Sequence, residues 1–194
     1  IAIERTQVIN TLQNELKTLD VLGQIGQAIN FTSQFDDLLE LIYAQTSRLI
    51  SVPNFYIALR DTHANQMYYA FFLENHERIT TKENIRWTSQ DDLIHHVFHK
   101  SIALNIADYG HEMAQRYAPI VMENPNLKAW MAVPLTSGTH QLGVLAVGKD
   151  NTSEPYTHEQ FNILGDIGAL AASSLDRLYL FNETTTRARQ LQAL

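Results

Sequence analysis

The chain of 194 residues contains no cysteine. That absence excludes disulfides, thiolate zinc sites, iron–sulfur clusters, cysteine nucleophiles and thioether-linked chromophores. Basic residues are scarce: 14 Lys and Arg against 21 Asp and Glu leave a net charge of −7. Without a basic run there is no electrostatic footprint for nucleic acid and no attraction to an anionic membrane surface. Long apolar runs are missing too; none approaches the ~18–20 residues of a membrane span, and no signal peptide is visible. There is no G-x-S-x-G elbow, no H-E-x-x-H and no carboxylate pair at a definable spacing, so the reading is non-enzymatic. A start at Ile1 and a helical pattern running to Leu194 suggest a cytoplasmic segment of a longer protein, in which the three N-x-S/T sequons are chance matches.

What is present is a core's worth of apolar residues, 45% of the chain, enough for one domain with extensions. Ile9, Leu12, Leu16 and Leu19 keep the 3–4 spacing of a coiled-coil seam, which skips one residue and resumes at Leu22, Ile25 and Ile29. Ser33-x-x-Asp36 is a capping box for a helix to about Ile50, and Pro53-Asn54 stops it. Residues 55–61 and 66–74 read as strands joined by a polar turn, and 75–86 as a strand edge or loop. Ser89-x-x-Asp92 caps a helix to Lys100, with Leu93, Ile94, Val97 and Phe98 on one face and Asp91, Asp92, His95, His96 and His99 on a solvated one. A strand at 103–108 and a helix at 111–118 follow. Strands at 129–135 and 142–147 then turn around Gly138, and Thr157-x-x-Gln160 opens a last helix running to the end of the chain. Hairpins in place of regular βαβ alternation indicate an α+β domain with a largely antiparallel sheet.

The order and residue types resemble a GAF domain, the small-molecule sensing fold of phytochromes, cyclic-nucleotide phosphodiesterases and bacterial sensor kinases. The resemblance covers roughly residues 20–180. It is carried most by Ala132-Val133-Pro134-Leu135, the glycine turn, Leu142-Gly143-Val144-Leu145 and the Tyr156-Thr157 entry to the last helix. It implies a central antiparallel sheet of strand order 2-1-5-4-3 with helices on both faces and long N- and C-terminal helices. The expected organisation is a signalling or dimerisation helix at 1–30, a sensor domain at 31–176, and a continuation at 177–194 toward an output domain. The implied pocket lies between strands 55–61 and 129–135 and the segment from about Trp87 to Met122. Its candidate lining residues are Phe55, Ile57, Trp87, Phe98, Tyr109, Met113, Tyr117 and Trp130.

Several chemistries of that fold meet this sequence and fail. Covalent bilin attachment and free methionine-sulfoxide reduction both need cysteine. Of the cyclic-nucleotide signature, Lys149 remains and Tyr156 stands for Phe, but Gly148 replaces Asn, and Gln160 and Phe161 replace the acidic pair. GVLAVGKD imitates a phosphate loop, yet Asp150 replaces the required hydroxyl and the intervening residues are strand formers. Asp91, His95 and His99 have i, i+4, i+8 spacing but lie opposite the apolar face, which makes them solvated residues and no metal site. Nothing marks a haem site; His111, which falls near the pocket that the resemblance implies, is the axial candidate.

The expected function is therefore a small-molecule sensor or regulatory module with an unidentified ligand and an unknown cofactor. It would act as a homodimer through its terminal helices, on an output domain in cis such as a histidine kinase or nucleotide cyclase. Ligand binding would favour one of two helix registers or rotations. The alternative is a ligand-free spacer of the same fold, serving only dimerisation. Gly165, Gly168, Ala169, Ala171 and Ala172 are small enough to admit the region of Gly23 and Gly26.

Overall fold

A computed structural model describes residues 35–61, 64–87, 92–116, 126–150 and 154–192, with the backbone alone at 113–116 and 181–192. The heptad pattern with Gly23 and Gly26, together with Ser33, Ser89, Asp91 and Tyr117, lies outside the described residues. Helices are α1 (Phe35–Leu49), α2 (Leu93–Lys100), α3 (Tyr109–Arg116) and α4 (His158–Gln192). Strands are β1 (Asn54–Asp61), β2 (Gln66–Glu74), β3 (Glu77–Arg78), β4 (Arg86–Trp87), β5 (Leu104–Ile106), β6 (Ala129–Ser137) and β7 (His140–Lys149). All pairings are antiparallel, in the order β3-β2-β1-β7-β6-β5, with β4 also on β2. Counted over the five strands read from sequence, this is 2-1-5-4-3. The two extra strands, each of two residues, occupy the stretch read as an edge or loop.

Period-2 alternation splits the core into two layers. Phe55, Ile57, Leu59, Met131, Val133, Leu135, Leu145 and Val147 face α1 and α4. Tyr56, Ala58, Trp130, Ala132, Val144 and Ala146 face α2 and the start of α3. β1 is buried on both sides over its first six residues, so it reads as a continuous apolar run.

Local chemistry fixes the ends. At α4 the capping box forms as read: Thr157 N donates to Gln160 Oε1 at 3.0 Å, and Gln160 N to Thr157 Oγ1 at 3.1 Å. Its 35 residues span about 52 Å at 1.5 Å per residue. At α2 the sequence reading is corrected. The N-cap is Asp92, whose carboxylate accepts from His95 N, so the helix starts after the acidic member of the box. At α3 the first turn begins two residues early, because Asp108 Oδ1 accepts from His111 N at 3.1 Å. The edge beyond β2 is closed by Glu83, only 6% exposed, which takes a two-pronged bond from Arg78 at 2.8 and 3.0 Å and accepts from Phe72 N at 3.1 Å. That bond holds the Arg78 guanidinium above its ordinary pKa.

The small residues of α4 pack on the sheet. A Cβ on Gly168 would sit 2.7 Å from Val133 Cγ2, and Ala171 and Ala172 are fully buried in the α1/α4 layer. Only Gly165 and Ala169 of the five keep an open side. Among the described residues no helix is long and apolar enough to cross a membrane.

Candidate ligand-binding face

The face beneath α2 has a floor of small side chains. Ala58 of β1, Ala132 of β6 and Val144 and Ala146 of β7 are each 0% exposed. Opposite them, on the same strands, stand the large residues of the other layer. A floor of alanines sets the sheet surface low, which lets a helix or a flat molecule approach the backbone. In this structure α2 fills the space with Leu93, Ile94, Val97 and Phe98.

Aromatic rings wall the floor on two sides. Toward β2, Tyr69 stacks on Trp87 with centroids 4.4 Å apart and meets Phe72 edge-on at 4.8 Å. Toward β5, Tyr109 and Trp130 lie 6.2 Å apart. Cations cover the outer rims, with Arg60 over the Phe98 ring at 5.9 Å and Lys82 over Phe72 at 4.5 Å. Asp92, 4% exposed, is a fully buried carboxylate at this face, which accepts from Trp87 Nε1 at 2.9 Å as well as capping α2, while the less buried Glu74 accepts from the Tyr56 hydroxyl at 3.5 Å. Asp92 thus joins β4 to the start of α2, and its burial corrects the expectation that it lies on the solvated face.

The eight candidate lining residues divide accordingly. Trp87, Phe98, Tyr109 and Trp130 share this layer. Phe55 and Ile57 point into the opposite layer, and Tyr56 and Ala58 take their place, because alternation on a strand buried on both sides gave no phase. Met113 belongs to α3, described by backbone only, and Tyr117 lies outside the described residues. Sequence reasoning missed Asp92 and the alanine floor. The signal was there: Ala58, Ala132 and Ala146 recur in strands whose neighbouring positions are large.

The other motifs resolve into packing. Gly143 to Lys149 is strand β7. Gly148 abuts Leu127, and the Tyr156 hydroxyl donates to Ser51 O at 3.1 Å. Burial, with a smaller push from Asp150, holds that hydroxyl well above the usual phenol range. His95 and His96 are half-buried and His99 is exposed, with the His95 and His99 rings 4.1 Å apart. No group of three His, Cys, Asp or Glu side chains suited to a metal occurs among the described residues. A concavity of about 470 Å³ opens in the α1/α4 layer, lined by Tyr43, Ser47, Arg48, Val52 and His76 among others, away from this face.

A family model, the GAF domain, matches residues 34–175. Among solved structures the fold is similar to the GAF domain of an Acinetobacter phosphoenolpyruvate-protein phosphotransferase, with TM-score 0.68 and 17% identity over 84% of this chain and 94% of that one. It is also similar to the GAF domain of a two-component sensor histidine kinase from Bacillus halodurans, with TM-score 0.62 and 11% identity over 78% and 99% of the two chains. A free methionine-R-sulfoxide reductase from Neisseria meningitidis shares the fold at TM-score 0.65 and 15% identity, over 84% and 90%. At such identities these likenesses carry the fold alone. No curated protein matches the sequence. With the family model spanning more than half of it, the chain belongs to the GAF domain family.

Proposed function

We propose that this domain is a cytoplasmic sensory or regulatory module of a signalling protein, taking a small organic molecule on the α2 face and passing the change along α4. GAF domains are generally regulatory modules, and the similar structures include parts of a sensor histidine kinase and of a phosphotransferase. The observation that supports the reading is the alanine floor between aromatic walls, with one buried carboxylate at its edge. Such a face suits a flat, largely apolar molecule carrying a hydrogen-bond donor. Because α2 occupies the floor, the molecule enters as α2 lifts about its ends, the Asp92–Trp87 bond and the left-handed Ser101. The segments 1–30 and 177–194 pair with those of a second copy and lead to an output domain in cis, a histidine kinase or a nucleotide cyclase. The reductase neighbour's chemistry does not transfer, since this chain has no cysteine.

One observation favours a second reading, a ligand-free spacer: Leu93, Ile94, Val97 and Phe98 are at most 5% exposed and close the floor tightly. A thermal-shift screen with nucleotides, tetrapyrroles and aromatic metabolites separates the two. A ligand at 100 times its dissociation constant adds about 2.7 kcal/mol, or about 5–10 °C in Tm for a domain of this size. Ala132→Phe, which fills the floor, is expected to abolish that shift. If no compound in the panel raises Tm, the spacer reading stands and the sensor reading falls.

A further inference from the structure

The two strands that carry most of the floor, β6 and β7, end in a hairpin whose tip is fastened to α4. Ser137 and His140 are the pair that flanks the two-residue turn, with Gly138 at φ +57 in its first position. Both reach one carboxylate. Ser137 Oγ donates to Asp176 Oδ2 at 2.9 Å, and His140 Nδ1 lies 3.2 Å from Asp176 Oδ1. Asp176 follows Leu175, a fully buried core residue and the last position of the family match. Beyond Asp176 the helix continues 16 residues, from 177 to Gln192, about 24 Å.

The aim of His140 has a local cause. Leu135 pairs with Gly143 but Thr136 with Gln141, so Leu142 is an extra residue and the strand bulges. A bulge turns the residues beyond it to the other face. Val144 and Ala146 point to the floor, whereas Leu142 joins the α1/α4 layer, and His140 meets Asp176 on the same side. Gly143 permits the bulge, since a Cβ there would lie 2.0 Å from Ala58 O. Between floor and tip, β6 also touches α4 directly where Val133 lies over Gly168.

The geometry points to Asp176 as a positioning residue: a clamp that fixes the exit of α4 to the β6–β7 hairpin, so that a displacement of the floor strands reaches the helix at this joint. Its meaning for signalling rests on the sensor reading, but no ligand is needed to test it. A ligand screen without hits would sink that reading and leave this result intact.

The test uses the full 194-residue chain and amide hydrogen exchange resolved by residue. Ala132→Val presses on the floor from the side of the sheet opposite α4. In the otherwise unaltered chain it is expected to change exchange at residues 177–184 severalfold. Asp176→Ala alone should raise exchange there about tenfold while leaving the centre of β1 unchanged. Combined with Asp176→Ala, the effect of Ala132→Val at 177–184 should vanish, and Ser137→Ala should reduce it in part. The double variant Ser137→Ala/His140→Ala, which removes both partners of the carboxylate and leaves Asp176 in place, gives the same comparison if Asp176→Ala fails to fold. Three outcomes overturn the clamp: Ala132→Val acts on α4 equally with and without Asp176, it does not reach α4 at all, or Asp176→Ala loosens β1 as much as α4.

Discussion

At the scale of single residues, two glycines of the same chain carry opposite expectations. Gly143 sits in β7 where a Cβ would meet Ala58 O at 2.0 Å and Leu59 Cα at 2.9 Å, both backbone atoms held by the β1–β7 ladder. Neither atom moves without opening that ladder. Gly143→Ala should therefore cost at least about 3 kcal/mol, lowering Tm by about 6–12 °C. On α4, a Cβ added to Gly165 would meet nothing within 4 Å, so Gly165→Ala should be neutral or stabilise by about 0.5–1 kcal/mol. Urea unfolding of both variants checks the pair, and equal effects would refute the steric account. The sequence showed Gly143 inside the family-like Leu142-Gly143-Val144-Leu145 run, but the close backbone that requires it comes from β1, more than eighty positions away. The same limit governed Phe55 and Ile57. A strand apolar on both faces reveals that it is buried, while the choice between Phe55 and Tyr56 for a given layer depends on which helix covers which side.

At the scale of elements, α2 is placed by one carboxylate with two duties. Asp92 caps the helix and accepts from the Trp87 indole on β4, which itself stacks on Tyr69. Asp92→Ala removes a cap worth about 1 kcal/mol and strips a half-buried N–H donor of its partner, for a total of about 2–4 kcal/mol. Trp87→Phe keeps a ring against Tyr69 and loses only the N–H, so it should cost less. In a double-mutant cycle by urea unfolding the two substitutions should couple by about 0.5–3 kcal/mol, and strict additivity would mean that the bond does not hold α2. The helix itself was legible from Leu93, Ile94, Val97 and Phe98. Its start was not, because Ser89 and Asp92 both have cap chemistry. The indole partner of Asp92 decides between them only once β4 is laid against β2. β3 and β4 could be read only as an edge or loop for a related reason: two residues carry no periodicity, and their pairing is imposed by β2.

At the scale of the whole molecule, the dimer proposal depends on terminal segments beyond the core contacts described above. α1 lies antiparallel to α4, since Tyr156 bonds Ser51 past the end of α1 while Tyr179 meets Phe35 at its start, rings 6.5 Å apart. Tyr179 also places its hydroxyl 3.4 Å from that of Tyr68, whose burial raises it above the usual phenol range. These contacts tie α4 to the domain through residue 179, and the next residue, Leu180, turns its apolar side chain outward at 51% exposure. A chain lacking residues 1–20 and 180–194 thus retains every core contact described and should keep its fold. Sedimentation at about tens of micromolar is expected to show dimers for the full chain and monomers for the shortened one. Circular dichroism should show the same domain in both, apart from the lost helix. A full chain that sediments as a monomer sinks the pairing through terminal segments, while a shortened chain that still dimerises moves the interface onto the domain itself. In either case the small residues Gly168, Ala171 and Ala172 are already committed to the sheet, so of the five small residues only Gly165 and Ala169 are left to admit a close helix approach.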